Sequence, residues 1–458
     1  MGAVERKIIL ETEHIVVVEQ DFLTPTVFVT FNELGMTANG RDYWGSQFFE
    51  KNELSAIGII TRAGNWYPEE DMKKAVPAIL SSVRSRRVVT YGHSQGGYGA
   101  LKYSRALGAA AVLSFSPQWS INPDDVEKFD GRFISYFRPE LRNGLRIEED
   151  DISNHSYIFY DPHQDQDKYH AKNLRKLSNI YPVLVPFSNH ATVRFVTQGE
   201  VAKDLITLLT LKDLPSTQTL RNIFRATRRC SGMYHSEKIR FLANRLPRRL
   251  NDFLAELSYL PEKQRVIYDI IAFAYKQDFE SAKPLLDLID CDDIRIFPPL
   301  KLWSLFKETG FFDGEIKIAR LYESMFPEMP FIRLHSVYTF IRAGFLDEAN
   351  SGLDDVMKLR DSLEYINHIM LYSFDLRRGD IFERLLSIEE IPKEKRIYIY
   401  FYLIEMYFRA SDRARATHYL DELEPLCSDS TDNILRISNY RHHIGAEDVP
   451  APAGSEAA

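Results

Sequence analysis

Two hydrophobic patterns divide the chain. Over the first 212 residues short apolar runs alternate with amphipathic stretches. Lys7–Leu10 and Ile15–Glu19 read as two short strands, a hairpin at a sheet edge. Thr26–Phe31 and Ala56–Thr61 are nearly all apolar, as strands covered on both faces are. Val88–Tyr91, Ala110–Phe115, Tyr157–Tyr160 and Tyr181–Phe187 continue the series. Helices are predicted at Asp71–Val83, from Gly96 onward, near Lys168–Leu177 and over Thr197–Leu211. Strands alternating with helices predict a mostly parallel, doubly wound α/β sheet. A site in such a sheet lies beyond the carboxyl ends of its strands. From Thr217 the alternation stops, and the pattern is helical only.

The helical part repeats. Turn positions at Gln277, Gly310, Gly344, Gly379 and Ser411 are separated by 33, 34, 35 and 32 residues. Phe273, Phe306, Phe340 and Tyr407 stand four residues before their turns; the fourth unit departs, with Asp375. Ala282, Ala349 and Ala416 follow, where paired helices would pack closely. Helix–turn–helix units of this period resemble degenerate tetratricopeptide repeats. The resemblance implies an all-α solenoid over residues 261–445 whose concave face takes a protein partner.

The chemistry concentrates between Val88 and Leu101. Gly92-His93-Ser94-Gln95-Gly96 is a G-x-S-x-G pattern between a predicted strand and a predicted helix. So tight a turn strains the central residue and leaves no room for side chains two positions either side of it. It lifts the Ser94 hydroxyl above the sheet and aims the helix N-terminus at an oxyanion there. Other polar residues fall at predicted strand ends: Asn32 and Glu33, Asn65, Gln118, Asp161 and Asp165, Asn189 and His190. Serine, acid and histidine therefore occur in that order.

The elbow, the acid loop Tyr160–Asp165 and the terminal Ser188-Asn189-His190 together resemble an α/β-hydrolase domain over residues 1–212. The resemblance implies Ser94 as nucleophile, His190 as general base, and Asp161 or Asp165 as the acid that orients it. Asp167 reads as a helix N-cap before Lys168. An oxyanion hole is expected from the backbone N–H of Gln95 and of Asn32 or Glu33. The insertion 116–154, rich in aromatic and charged residues, reads as a lid. Trp66, Tyr67, Gln118 and Trp119 are candidate substrate contacts, aromatic and amide groups that suit a ring-bearing substrate. His163, Asp165, Asp167 and His170 match no zinc spacing, so no metal is expected, and the triad chemistry needs no cofactor.

Composition narrows the rest. A net charge of −8 argues against nucleic acid as a partner. Residues 213–260 read as a basic helical connector: it carries Arg221, Arg225, Arg228, Arg229, Lys238, Arg240, Arg245, Arg248 and Arg249, and Glu237 is the only acid between positions 221 and 249. This run reads as a solvated face docked on acidic surface, or as a site for phosphate or anionic lipid. Cys230, Cys291 and Cys427 are few and far apart, which suits a reducing compartment. The N-terminus shows no Sec-type apolar run, and no stretch is long enough for a membrane span, so a cytoplasmic location is expected. The tail 446–458 has a low-complexity, disorder-prone composition. The function expected is a serine esterase or deacylase acting on a small-molecule or glycan ester. An acyltransferase with the same triad, and a non-catalytic scaffold working through its repeats, are the alternatives.

Overall fold

The computed structural model describes residues 5–195, 201–211, 213–228, 231–297, 300–359, 362–427 and 430–445. Arg229, Cys230, the tail 446–458 and the first residues of the helix expected at 197–211 lie outside them. The chain divides into two compact units, Met1–Phe253 and Leu254–Ala458.

The first unit is built on one eight-stranded sheet: β1 (Lys7–Glu11), β2 (Ile15–Gln20), β3 (Thr26–Phe31), β4 (Ala56–Thr61), β5 (Arg87–His93), β6 (Ala111–Phe115), β7 (Ser156–Tyr160) and β8 (Ile180–Leu184). The strand order is β1-β2-β4-β3-β5-β6-β7-β8. β1 and β2 form the expected antiparallel hairpin, β2 runs antiparallel to β4, and all remaining pairs are parallel. This is the α/β-hydrolase fold. Every residue of β3, β4, β6 and β7 is buried, which is why those strands are apolar without alternation. Two cores lie on opposite faces, one around Phe31, Trp66 and Ile79, the other around Phe28, Phe115 and Phe159.

Helices cover both faces: α1 (Ser46–Lys51), α2 (Glu69–Val83), α3 (Gln95–Lys102), α4 (Pro123–Val126), α5 (Asp165–Leu174), α6 (Val201–Thr210), α7 (Thr217–Arg228) and α8 (Gly232–Arg245). The first unit extends past residue 212 because α7 buries Leu220 and Phe224 in the second of those cores. The basic stretch therefore docks through its apolar face rather than on acidic surface. α7 also covers the outer strand β8, where Pro182 leaves a ladder position without an N–H. Arg221 Nη2 donates to the Pro182 carbonyl at 3.2 Å.

In the second unit helices pair as hairpins, among them Lys301–Thr309 with Phe312–Met325, Pro330–Ala343 with Leu346–Val356, and Lys393–Arg409 with Arg413–Leu423. Five first helices end in the same cap. Gln277, Gly310, Gly344, Arg377 and Ser411 all have φ between 57° and 77°. The next N–H in each case reaches back to the carbonyl of Phe273, Phe306, Phe340, Ser373 or Tyr407 at 2.8–3.0 Å. The cap residue's own N–H bonds the carbonyl three residues before it. This paired pattern is the Schellman motif. The fourth turn is thus at Arg377, not Gly379, which instead opens the helix Gly379–Leu386. The spacing becomes 33, 34, 33 and 34, and the residue four before the turn is the buried Ser373 rather than Asp375. Ala282, Ala349 and Ala416 are fully buried as expected; the equivalent positions of the other units hold Glu315, paired with Arg342 at 2.9 Å, and Phe382.

Left-handed backbone costs a residue with a Cβ about 1 kcal/mol. Nothing lies within 4 Å of a Cβ built on Gly344, so Gly344→Ala should lose about that amount through backbone strain alone. Ser411→Gly should gain less, since glycine's freedom in the unfolded chain offsets part of the relief. Urea unfolding of the full chain, read as a shift in midpoint, checks both signs.

Candidate active site

Ser94 links β5 to α3 with φ 54° and ψ −119°. The sharpness of the turn explains its glycines. A Cβ on Gly92 would come within 2.2 Å of the Gly96 carbonyl oxygen, and one on Gly96 within 2.2 Å of the Phe31 carbonyl oxygen. Both contacts are with backbone, so neither can yield cheaply. The Ser94 N–H is anchored to the Phe115 carbonyl at 2.8 Å. Ser94 itself is 5% exposed.

His190 Nε2 lies 2.9 Å from Ser94 Oγ. Its Nδ1 lies 2.9 Å from both carboxylate oxygens of Asp167. A carboxylate only accepts, so Nδ1 carries the proton and Nε2 is left to accept from the Ser94 hydroxyl. That tautomer is the one a general base needs. The carboxylate beside His190 is therefore Asp167, and neither Asp161 nor Asp165 holds that place. Helix α5 begins at Asp165, three residues earlier than expected, so Asp167 lies inside its first turn rather than capping it. Asp165 is exposed on the same turn.

Asp161 does something else. Its Oδ1 accepts the N–H of His163 at 2.9 Å, an Asx-type turn, and its Oδ2 accepts the N–H of Asn189 at 2.7 Å. It thereby ties the acid loop to the histidine loop. Burial pushes its carboxyl up to about 6, against the pull of those N–H groups.

Charges from the insertion reach this centre. Arg132 Nη2 donates to Asp167 Oδ1 at 2.9 Å and to Asp130 Oδ2 at 2.7 Å. Asp130 also accepts from His170 Nε2 at 3.0 Å, and His170 Nδ1 accepts the Trp119 N–H at 3.0 Å. Burial would raise both carboxyls, but His190 and Arg132 hold Asp167 low, and Arg132 and His170 hold Asp130 low. Sequence reasoning missed Arg132, Asp130 and His170 as parts of the site. The available signal was only a basic and an acidic residue within an aromatic insertion. Of the four residues weighed as a metal cluster, His163 stacks on Phe187, Asp167 meets His190, His170 meets Asp130, and Asp165 is exposed. Among the described residues no three His, Cys, Asp or Glu side chains converge on a metal position.

The oxyanion candidates also separate. The Asn32 N–H is directed to the Ile59 carbonyl at 3.4 Å. Its side chain is held by Met36, Thr61 and Tyr67. The backbone N–H groups of Glu33 and Gln95 have no acceptor among the described residues. His93 places Nδ1 2.8 Å from the Glu33 carboxylate and Nε2 2.9 Å from the His190 carbonyl. Both partners are acceptors, so both bonds form together only when the ring carries two protons. The Glu33 carboxyl is held low, first by that His93 contact, against the opposing effect of burial.

Of the expected substrate contacts, Gln118 alone is recorded in contact with Ser94, with Nε2 3.4 Å from Oγ. The Trp66 indole N–H donates to Gln118 Oε1 at 3.3 Å, which turns the amide N–H toward the serine. Trp66 is fully buried under Phe133 and Tyr136 of the insertion. Tyr67 is a core residue, its hydroxyl on the Asn32 carbonyl at 2.8 Å and its ring edge-on to Phe31. Trp119 donates to the Ile147 carbonyl and lies under Arg146. The largest recorded cavity of this unit, about 740 Å³ beside α2, is lined by none of Ser94, Asp167 and His190. The bonded geometry, not cavity size, marks the centre.

No protein-family model matches the chain, and no curated protein matches its sequence. Among solved structures it is similar to a capsule O-acetyltransferase of Neisseria meningitidis serogroup A, at 12% identity and a TM-score of 0.33, over 44% of this chain and 93% of that one. It is similar to an esterase of Pyrococcus furiosus at 12% identity and a TM-score of 0.30, over 44% of this chain and 89% of that one. A glycosylation-associated protein complex from Streptococcus agalactiae matches at 16% identity and a TM-score of 0.27, over 54% of this chain and 47% of that one.

The depressed carboxyls carry a pH dependence. A group whose folded pKa lies below its unfolded value contributes stability that is present above the unfolded value, about 4, and is lost as pH falls through the folded one. Asp130→Asn should cost roughly 3 kcal/mol at pH 7, because it breaks a buried charge network. It should also lose less stability than the wild type between pH 7 and pH 3. Chemical denaturation of both proteins at the two pH values measures the difference.

Proposed function

We propose that this protein is a serine hydrolase of ester bonds, with Ser94 as nucleophile, His190 as base and Asp167 as the orienting acid. The unbroken hydrogen-bonded line from Ser94 through His190 to Asp167 carries the reading. Nε2 of His190 takes the hydroxyl proton as Ser94 Oγ bonds to the ester carbonyl carbon. The oxygen that becomes negative is met by the N–H groups of Gln95 and Glu33. His190 returns the proton to the departing alkoxide, leaving an acyl-serine and the free alcohol. Water, giving a proton to His190, then attacks the acyl carbon; the acid leaves and Ser94 recovers its proton. Asp167 remains ionised throughout, helped by Arg132.

The same acyl-serine can pass its acyl group to an alcohol in place of water. The burial of Ser94 beneath the insertion favours that outcome wherever an acceptor such as a glycan hydroxyl fills the site. The substrate class is thus an acyl ester, a glycan O-acyl ester included. We read the helical hairpins as tetratricopeptide-like units that hold a protein partner. The chain's three cysteines are few and far apart in sequence, which suits a cytoplasmic setting. No helix among the described residues is long and apolar enough to cross a membrane.

A fluorophosphonate probe tests the nucleophile. The wild type should label, and Ser94→Ala and His190→Ala should not. Asp167→Asn should lower ester turnover by about 10⁴-fold, whereas Asp165→Asn should stay within about tenfold. A folded wild type that fails to label would favour the scaffold alternative. A larger loss for Asp165→Asn than for Asp167→Asn would overturn the assignment of the acid.

A further inference from the structure

Helix α7 presents arginines at positions 221, 225 and 228, the four- and three-residue steps that put side chains on one face. They line a cavity of about 170 Å³ whose other walls include Pro186, Phe195 and Phe224. Among the described residues no acidic side chain lines it. No carboxylate pairs with any of the three arginines among the described residues. By contrast Arg6, Arg86, Arg132 and Arg142 of the same unit each meet an acid. Arg221 is half-buried; its Nη2 bonds the Pro182 carbonyl, but its buried Nε has no partner. Arg228 lies over the Tyr234 ring at 5.4 Å, which fixes its plane without neutralising it.

Arg221 and Arg228 are half-buried and Arg225 is exposed; side by side the three cations repel one another, with no carboxylate among the described residues to offset that. A compact polyanion supplies the counter-charge. Guanidinium forks match the oxygens of a phosphate, and two or three arginines converging on one point suit its charge better than that of a single carboxylate. We propose that this cavity binds a phosphate group. It stands at the carboxyl end of β8, on the functional side of the sheet. Pro186 and Phe195, on its wall, also bracket the loop that carries His190. Phosphate bound here would brace that loop from both ends. The binding itself does not depend on the reaction assigned to Ser94.

The test uses the full chain and sodium pyrophosphate, titrated calorimetrically against sodium chloride of equal ionic strength. Arg225→Gln with Arg228→Gln removes two forks and leaves Arg221 on the Pro182 carbonyl. Circular dichroism establishes that the variant is folded, and Arg225→Lys provides a milder second variant. The wild type should bind pyrophosphate, the double variant at least tenfold more weakly, and Arg225→Lys in between. A second arm pellets the proteins with phosphatidic acid vesicles, using phosphatidylcholine vesicles as the reference. Arginine-dependent pelleting without binding of free pyrophosphate would put the phosphate on a lipid headgroup. Binding in neither arm, or binding that survives both substitutions, overturns the proposal.

Discussion

The first unit depends on how closely β5, β3 and α3 approach at the elbow. Ser94 is held at φ 54°, a conformation that costs a residue of its kind about 1–3 kcal/mol. It is imposed from outside. β5 lies in the middle of the sheet, paired to β3 over Arg87–Gly92 and to β6 over Val89–His93, and cannot swing to relieve the turn. The missing side chains at Gly92 and Gly96 let α3 start directly above the end of β3. Asn32, at that same strand end, is locked by Thr61 and Tyr67. Its backbone fixes where Glu33, and with it the N–H given the second oxyanion role in the proposed mechanism, can stand. A sheet of eight strands thereby converts local strain into a fixed position for one hydroxyl.

The partners of Ser94 sit on separate loops, and each is fastened by a polar bond of its own. Asp161 joins the loop before α5 to the loop after β8. His93 joins the His190 carbonyl to Glu33. Arg132 joins the insertion to Asp167. These are buried or half-buried polar groups, so each is costly alone and stable only within the set. The insertion is consequently part of the centre's electrostatics and not just a cover. Arg132 shares the Asp167 carboxylate with His190, so movement of the insertion and the charge beside His190 are physically linked.

Local patterns were legible in the chain; long-range pairings were not. Thr26–Phe31 and Ala56–Thr61 match β3 and β4 end for end, because central parallel strands must be apolar throughout. The elbow was legible because its geometry leaves no room for side chains at Gly92 and Gly96, two positions either side of the serine. The Schellman turns showed at Gly310 and Gly344, where glycine marks the left-handed position. Arg377 occupies an equivalent position with no mark of it, and the nearby Gly379 drew the assignment two residues away. Trp66 and Tyr67 read from the sequence as candidate substrate contacts at a strand end. Their burial depends on Phe133, Tyr136 and Phe31, all remote in sequence.

The three aspartates of the acid loop show why type and position alone did not identify the one beside the histidine. Asp161 ends a strand in front of a proline, and its carboxylate is drawn into the turn it caps. Asp165 and Asp167 share the first turn of α5 but differ by two residues, about 200° around a helix. One of the two must therefore face away from what the other faces. Asp165 meets water; Asp167, on the inner side, meets His190 and Arg132. Helix phase decides between them, and the phase is set by where α5 starts. A helix start displaced by three residues turns the inner carboxylate into an apparent cap. Chemistry that depends on the facing of one side chain is thus more sensitive to an element boundary than the fold that carries it.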